Sequence, residues 1–107
     1  MKRGDIVLAA AGGDYGKPRP WIVIQSNAVR QDYASITLCP VTTTITPSDF
    51  RVRVAASVAS GLRDTSDVMV DKVQTLPRER IRAELGSLDA ETMKALDNAL
   101  RVWLGLA

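Results

Sequence analysis

A chain of 107 residues, 46% apolar and 24% charged, has material for one hydrophobic core and not for two, so residues 1–107 are read as a single domain. Its 14 Lys and Arg against 12 Asp and Glu leave a net charge of +2, and histidine is absent altogether. Ser-His-Asp triads, Cys-His nucleophiles and His-containing metal sites are thereby excluded, which leaves arginine, lysine, carboxylates and hydroxyls for any chemistry.

The charge is unevenly spread. Residues 1–53 carry seven Lys/Arg against four Asp/Glu, so the positive surplus is N-terminal and permits an anionic partner. The only cysteine, Cys39, rules out an intramolecular disulfide and reads as a buried, inert thiol in a reducing compartment. No apolar run approaches the ~20 residues of a membrane span and no secretory signal pattern opens the chain. The expectation is a cytoplasmic protein without a membrane partner.

Ile6-Val7-Leu8-Ala9 reads as the first strand, entered from Arg3-Gly4-Asp5. Gly12, Gly13, Gly16 and Pro18 then form a connection that stiffens towards its end. Trp21–Gln25 is the second strand and Ser35–Val41 the third, with Pro40 suggesting an edge or a bulge. After a Thr/Ser/Pro loop, Phe50-Arg51-Val52-Arg53-Val54 alternates as a half-exposed strand should. Asp67–Val73 is a fifth strand, and a helical turn follows Pro77.

The C-terminal segment is helical. Asp89 is a good N-cap, Glu91 suits the first turn, and Gly105 closes the helix. Met93, Leu96, Leu100 and Trp103 form one apolar stripe, and Asp97 with Arg101 predicts an i, i+4 ion pair. The fold class expected is mainly β with a C-terminal helix, a small bent sheet or open barrel.

Three polar constellations stand out. In "GDYGKPRPWIVIQSN" Pro18 and Pro20 each fix φ and extend the residue before them, so Arg19 presents its guanidinium from a pre-set backbone. A planar fork so held suits phosphate or carboxylate, although a solvated turn arginine would look the same. Hydroxyls follow the third strand in Cys39-Pro40-Val41-Thr42-Thr43-Thr44, where loop hydrogen bonding is the ordinary role. Asp71 and Lys72, side by side at the end of Val68-Met69-Val70, are expected on opposite faces of a strand.

Taken in order, "RGDIVL", "GKPRPWIVIQSN", "ITLCPVT", "DVMVDKVQTLPRERI" and "LGSLDAETMKALDNALRVWLGL" resemble the MazF/PemK family of toxin endoribonucleases. The resemblance covers nearly the whole chain and is strongest to PemK-like members, through "GDYGKPRP" and "VMVDK". It implies a small SH3-like barrel of the MazF/CcdB/PemK type, a homodimer, and cleavage of single-stranded RNA with no metal or other cofactor. It also implies a cognate antitoxin that neutralises the toxin. Carried over by motif, Arg19 and Thr42 are catalytic and Asp71 is the general base, with Lys17, Tyr15, Gln25 and Lys72 as expected RNA contacts. Two positions depart from the pattern: Met69 stands where many members have arginine, and Lys72 where others have glutamine. The alternatives are a CcdB-like DNA gyrase poison, acting by protein binding through the helix end at Arg101–Ala107, and a non-catalytic binding barrel. Trp103 lies on the apolar stripe, so packing is its expected role.

Overall fold

The computed structural model describes residues 1–11 and 17–107. Seven strands precede one helix: β1 (Asp5–Ala9), β2 (Arg19–Val23), β3 (Ser35–Thr42), β4 (Arg51–Val54), β5 (Ser66–Met69), β6 (Gln74–Pro77), β7 (Ile81–Ser87) and α1 (Ala90–Leu104). The sheet runs β4-β5-β3-β2-β1-β7, with β6 added along β3, and every pairing is antiparallel. The expected bent, barrel-like sheet with a terminal helix is what forms.

β1, β2 and β3 read as short continuous apolar runs because both of their faces are covered. Ile6, Ile22, Cys39 and Val41 point into a core with Val54, Val68, Leu96 and Leu100. Their neighbours Val7, Trp21, Val23, Ile36 and Leu38 point the other way, into a second core completed by Leu76 of β6. Burying each such side chain contributes roughly 1.5–3 kcal/mol. The Trp21 indole N–H, which needs a partner once buried, donates to the Ala9 carbonyl at 3.1 Å.

Pro40 is neither at an edge nor at a free end. On one side β3 pairs with β6 through Ser35–Leu38 and then with β5 from Val41, so Cys39 and Pro40 fall between the two ladders. A residue without an N–H is tolerated where a strand changes partner.

The fifth strand is shorter than expected. β5 ends at Met69, and Val70–Lys72 forms a 3-10 turn, tied by the Val70 N–H to the Phe50 carbonyl at 3.0 Å. Asp71 and Lys72 therefore share a turn instead of alternating along a strand. β6 and β7 went unrecognised in the sequence: four residues of "QTLP" are too few to show a period, and "IRAELGS" keeps no clean alternation. The helical turn after Pro77 is the 3-10 turn Arg78–Arg80.

In α1 the Asp89 side chain accepts the Thr92 N–H at 2.7 Å, and hydrogen bonding from the Thr92 side chain, then from this N–H, holds the Asp89 carboxyl below its ordinary range. Gly105 closes the helix in the left-handed conformation, φ 70°. Leu96, Ala99 and Leu100 are buried, whereas Trp103 stays 43% exposed with its ring against the edge of Phe50, centroids 5.0 Å apart. The predicted Asp97–Arg101 pair does not form. Asp97 pairs with Arg3 at 2.7 Å and Arg101 donates to Asn98, because a half-buried partner from another element outcompetes an exposed one on the same helix.

Cys39 is fully buried, and desolvation followed by the nearby Asp71 charge pushes its thiol from 9.0 up to about 12. The native protein should not react with a disulfide reagent at pH 8, and the denatured chain should take up one equivalent. Because the folded state holds this proton beyond the pH at which the unfolded chain releases it, stability should fall between pH 9.0 and about 12. Melting curves of wild type and Cys39→Ala check this: the alkaline decline must be steeper in the wild type.

Candidate active site

Arg19 is the first residue of β2 and pairs across to Ala9 of β1, with Pro18 and Pro20 holding it extended. On its other side β2 pairs with β3 through Trp21 and Pro40. Followed two residues further, that register points Arg19 towards Thr42, the last residue of β3. Thr42 is paired with Asp67 of β5, and Asp67 with Arg53 of β4. Paired residues share a face of the sheet, so Arg53, Asp67 and Thr42 form one row across three strands, and the β2–β3 register, continued, places Arg19 next in line. Val54, Val68 and Val41 alternate with them and face the core under α1.

The Thr42 hydroxyl oxygen accepts the Thr44 N–H at 3.1 Å, the local turn that ends β3. Its own proton is left to donate to another acceptor. Asp67 is the buried charge of the row, its side chain 2% exposed. Arg53 Nε donates to its Oδ1 at 2.8 Å and the Thr46 N–H to its Oδ2 at 3.4 Å, the pairing a carboxylate needs when removed from water.

Asp71 stands outside that row, on the 3-10 turn beyond Met69. Its two oxygens are held by Arg51, Nε at 3.0 Å and Nη2 at 3.4 Å. Arg51 is the cross-strand neighbour of Met69. The guanidinium that many family members place at position 69 therefore reaches the aspartate here from the adjacent strand. Lys72 and Lys17 are exposed.

Gln25 is not brought to this end of the sheet. It lies six residues beyond Arg19 along the β2 direction, ~20 Å at strand spacing. There its Oε1 accepts the Thr37 N–H at 3.2 Å and its own N–H donates to the Thr37 carbonyl at 3.1 Å. Tyr15 lies outside the described residues. Among the described residues, no three His, Cys, Asp or Glu side chains converge as metal ligands. A groove of about 860 Å³ between β4 and α1 is lined by Phe50, Arg51, Val52, Arg53, Ala99 and Val102, among others, and contains none of the expected site residues.

The sequence reading missed Asp67 and its partners. A signal existed: Arg51 and Arg53 alternate on one strand, and Asp67 and Asp71 recur along the next strand and the turn after it, a charge complementarity visible only when the two segments are compared.

What fold and site define together is a small bent-sheet protein with guanidinium and hydroxyl groups along one face of its sheet and no imidazole. The family described as "PemK-like, MazF-like toxin of type II toxin-antitoxin system" matches residues 2–104, and the chain belongs to it. A curated relative named "Probable endoribonuclease MazF", from Mycolicibacterium smegmatis, is 43% identical over 109 aligned positions, covering 100% of this chain and 99% of its own. The solved structure of Mycobacterium tuberculosis toxin MazF-mt6 superposes with a TM-score of 0.84 at 30% identity, covering 96% of this chain and 98% of that one. A mycobacterial endoribonuclease in complex with its cognate antitoxin gives a TM-score of 0.85 at 26% identity, covering 100% and 97%.

Proposed function

We propose that this protein is the toxin of a toxin–antitoxin pair, a sequence-specific endoribonuclease that cuts single-stranded RNA without a metal ion and so stops translation. The observation that carries the reading is the match of residues 2–104 to this toxin family, and it is supported by Arg19 opening β2 and Thr42 closing β3 on neighbouring strands. In RNA the ribose 2′-OH attacks its own 3′ phosphodiester, forming a bond to phosphorus as the bond to the 5′ oxygen breaks and that oxygen takes a proton from water. The products are a 2′,3′-cyclic phosphate and a 5′-hydroxyl. The nucleophile belongs to the substrate, so the protein positions it, moves protons and stabilises charge.

Arg19 clamps the non-bridging phosphoryl oxygens, where negative charge grows in the transition state. Thr42 donates its hydroxyl proton to one of those oxygens. Arginine remains protonated and does not serve as the base. Asp71 takes the proton of the 2′-OH, since each of its oxygens keeps a further lone pair beside the Arg51 contact. Lys17 and Lys72 add positive charge for the flanking strand.

An acidic, apolar antitoxin segment neutralises the enzyme by occupying the phosphate-binding positions with carboxylates. Homodimer formation is supported by the apolar end of α1, where Val102, Trp103, Leu104 and Leu106 remain exposed in the single chain. Among the described residues no helix is long and apolar enough to cross a membrane, and the proposed compartment is the cytoplasm, where the RNA is. Nothing at the site favours the gyrase-poison reading.

Digestion of a long defined RNA in EDTA tests this. Discrete cuts with 2′,3′-cyclic phosphate ends are expected, and DNA of the same sequence should survive, because it lacks the nucleophile. Loss of RNA cleavage in EDTA with recovery on adding magnesium would refute the mechanism.

A further inference from the structure

We propose that Arg53, held in place by the buried Asp67, is a second phosphate-binding guanidinium on the face that carries Arg19 and Thr42. The proposal rests on the RNA-cleaving reading and extends it along the strand, away from the scissile bond.

Arg53 belongs to the edge strand β4, and its side chain is 56% exposed, while that of its partner Asp67 is only 2% exposed. The contact between them uses Nε, at 2.8 Å from Asp67 Oδ1. The guanidinium is therefore steered by one edge, and its two terminal nitrogens have no protein partner among the described residues. A surface ion pair needs no buried carboxylate. Desolvating Asp67 is costly, and the arrangement leaves a fixed fork with donors directed to solvent. Arg51 differs in this respect: it closes on Asp71 with both Nε and Nη2 and its side chain is 18% exposed.

The register gives the spacing. Arg53 is two strands from Thr42 and three from the Arg19 position, which at ~4.8 Å per strand is ~10 Å and ~14 Å between backbones. That is too far for the same phosphate and suits a neighbouring nucleotide of an extended strand. The Asp67 carboxylate also receives the Thr46 N–H, so one buried group sets both the Arg53 fork and the loop that follows Thr42. Asp67 is a positioning residue in this scheme, and Arg53 makes the contact.

The test measures binding of a 2′-O-methyl RNA that cannot be cut, alongside cleavage of the matching RNA, as salt is raised. Arg53→Gln should weaken binding of a long strand about fivefold and lower the slope of log affinity against log salt by about 0.7, the loss of one single-strand phosphate contact. The weakening should shrink to less than twofold on the shortest oligonucleotide that still binds. Lys94→Gln removes an equal exposed charge from α1 and should leave the slope unchanged. Asp67→Asn should reproduce part of the loss, and the double variant should be no weaker than Arg53→Gln alone. If Asp67→Asn does not fold, Arg53→Gln and Arg53→Lys still decide, the lysine variant being expected between wild type and glutamine. An unchanged salt slope in Arg53→Gln, or equal weakening on short and long strands, overturns the proposal and leaves Arg53 as a structural ion-pair partner. RNA that binds in an Arg53-dependent way but is never cut would instead overturn the nuclease reading.

Discussion

Arg19→Ala and Thr42→Ala should each reduce the single-turnover rate of RNA cleavage by about 10²–10³-fold, the scale of removing one donor aimed at a developing oxyanion. The arginine variant should keep its fold, as its circular dichroism spectrum would show. Thr42→Ala also loses the turn bond to the Thr44 N–H and should cost about 1 kcal/mol of stability. Arg19→Lys is the sharper variant. Lysine keeps the charge but offers a compact ammonium on a flexible stem, and the fixed backbone between Pro18 and Pro20 cannot convert it into a planar fork. Cleavage by Arg19→Lys should remain close to the alanine level. A rate near wild type would mean that position 19 supplies only positive charge, and the clamp would have to be abandoned.

Gly86→Ala should cost most of the stability of the fold. Ser57–Gly61 of the β4–β5 connection packs directly on β7, where the Ser87 N–H donates to the Ala59 carbonyl at 2.9 Å. A Cβ added at Gly86 would meet the Ala59 oxygen at 2.3 Å and the Ser60 carbonyl carbon and oxygen at 2.5 Å. All three are backbone atoms, so no side chain can rotate away, and the connection must lift off the strand. Gly61→Ala fails twice over: its Cβ would lie 2.1 Å from the Leu85 oxygen, and φ at 70° disfavours any L side chain. Either change should destabilise by about 4 kcal/mol or more, against the ~5–15 kcal/mol that holds a domain together. Urea unfolding monitored by tryptophan fluorescence gives the answer. A midpoint within a few tenths molar of wild type would show that the connection can separate from β7 at little cost.

These two sets of expectations draw on different kinds of information. Arg19 and Thr42 stand out in the sequence because the reasons for noticing them are local. Two prolines constrain one arginine, and a hydroxyl ends an apolar strand. The first three strands, the N-cap Asp89, the closing Gly105 and the buried Leu96 and Leu100 were readable for the same reason, since alternation, helical spacing and cap chemistry operate over a few residues. Trp103 shows the limit of such a pattern. Its spacing belongs to the buried stripe, yet the residue stays 43% exposed at the end of α1, beside Phe50.

Composition alone removed histidine chemistry and an intramolecular disulfide, and ordered motifs identified the family, with the first strands and the closing helix in their places. The partners of the charged groups were decided only when the chain folded. Asp97 chose Arg3 over Arg101, Asp71 took Arg51 from the opposite strand, and Asp67 received Arg53 together with the Thr46 amide. The contact of Gly86 with the Ala59–Ser60 backbone likewise joins residues far apart in the chain. The physical reason is common to all of them: a charge or a backbone surface is satisfied by whatever lies within a few ångströms. In a sheet whose strands pair out of sequence order, that neighbour is set by register and not by chain position.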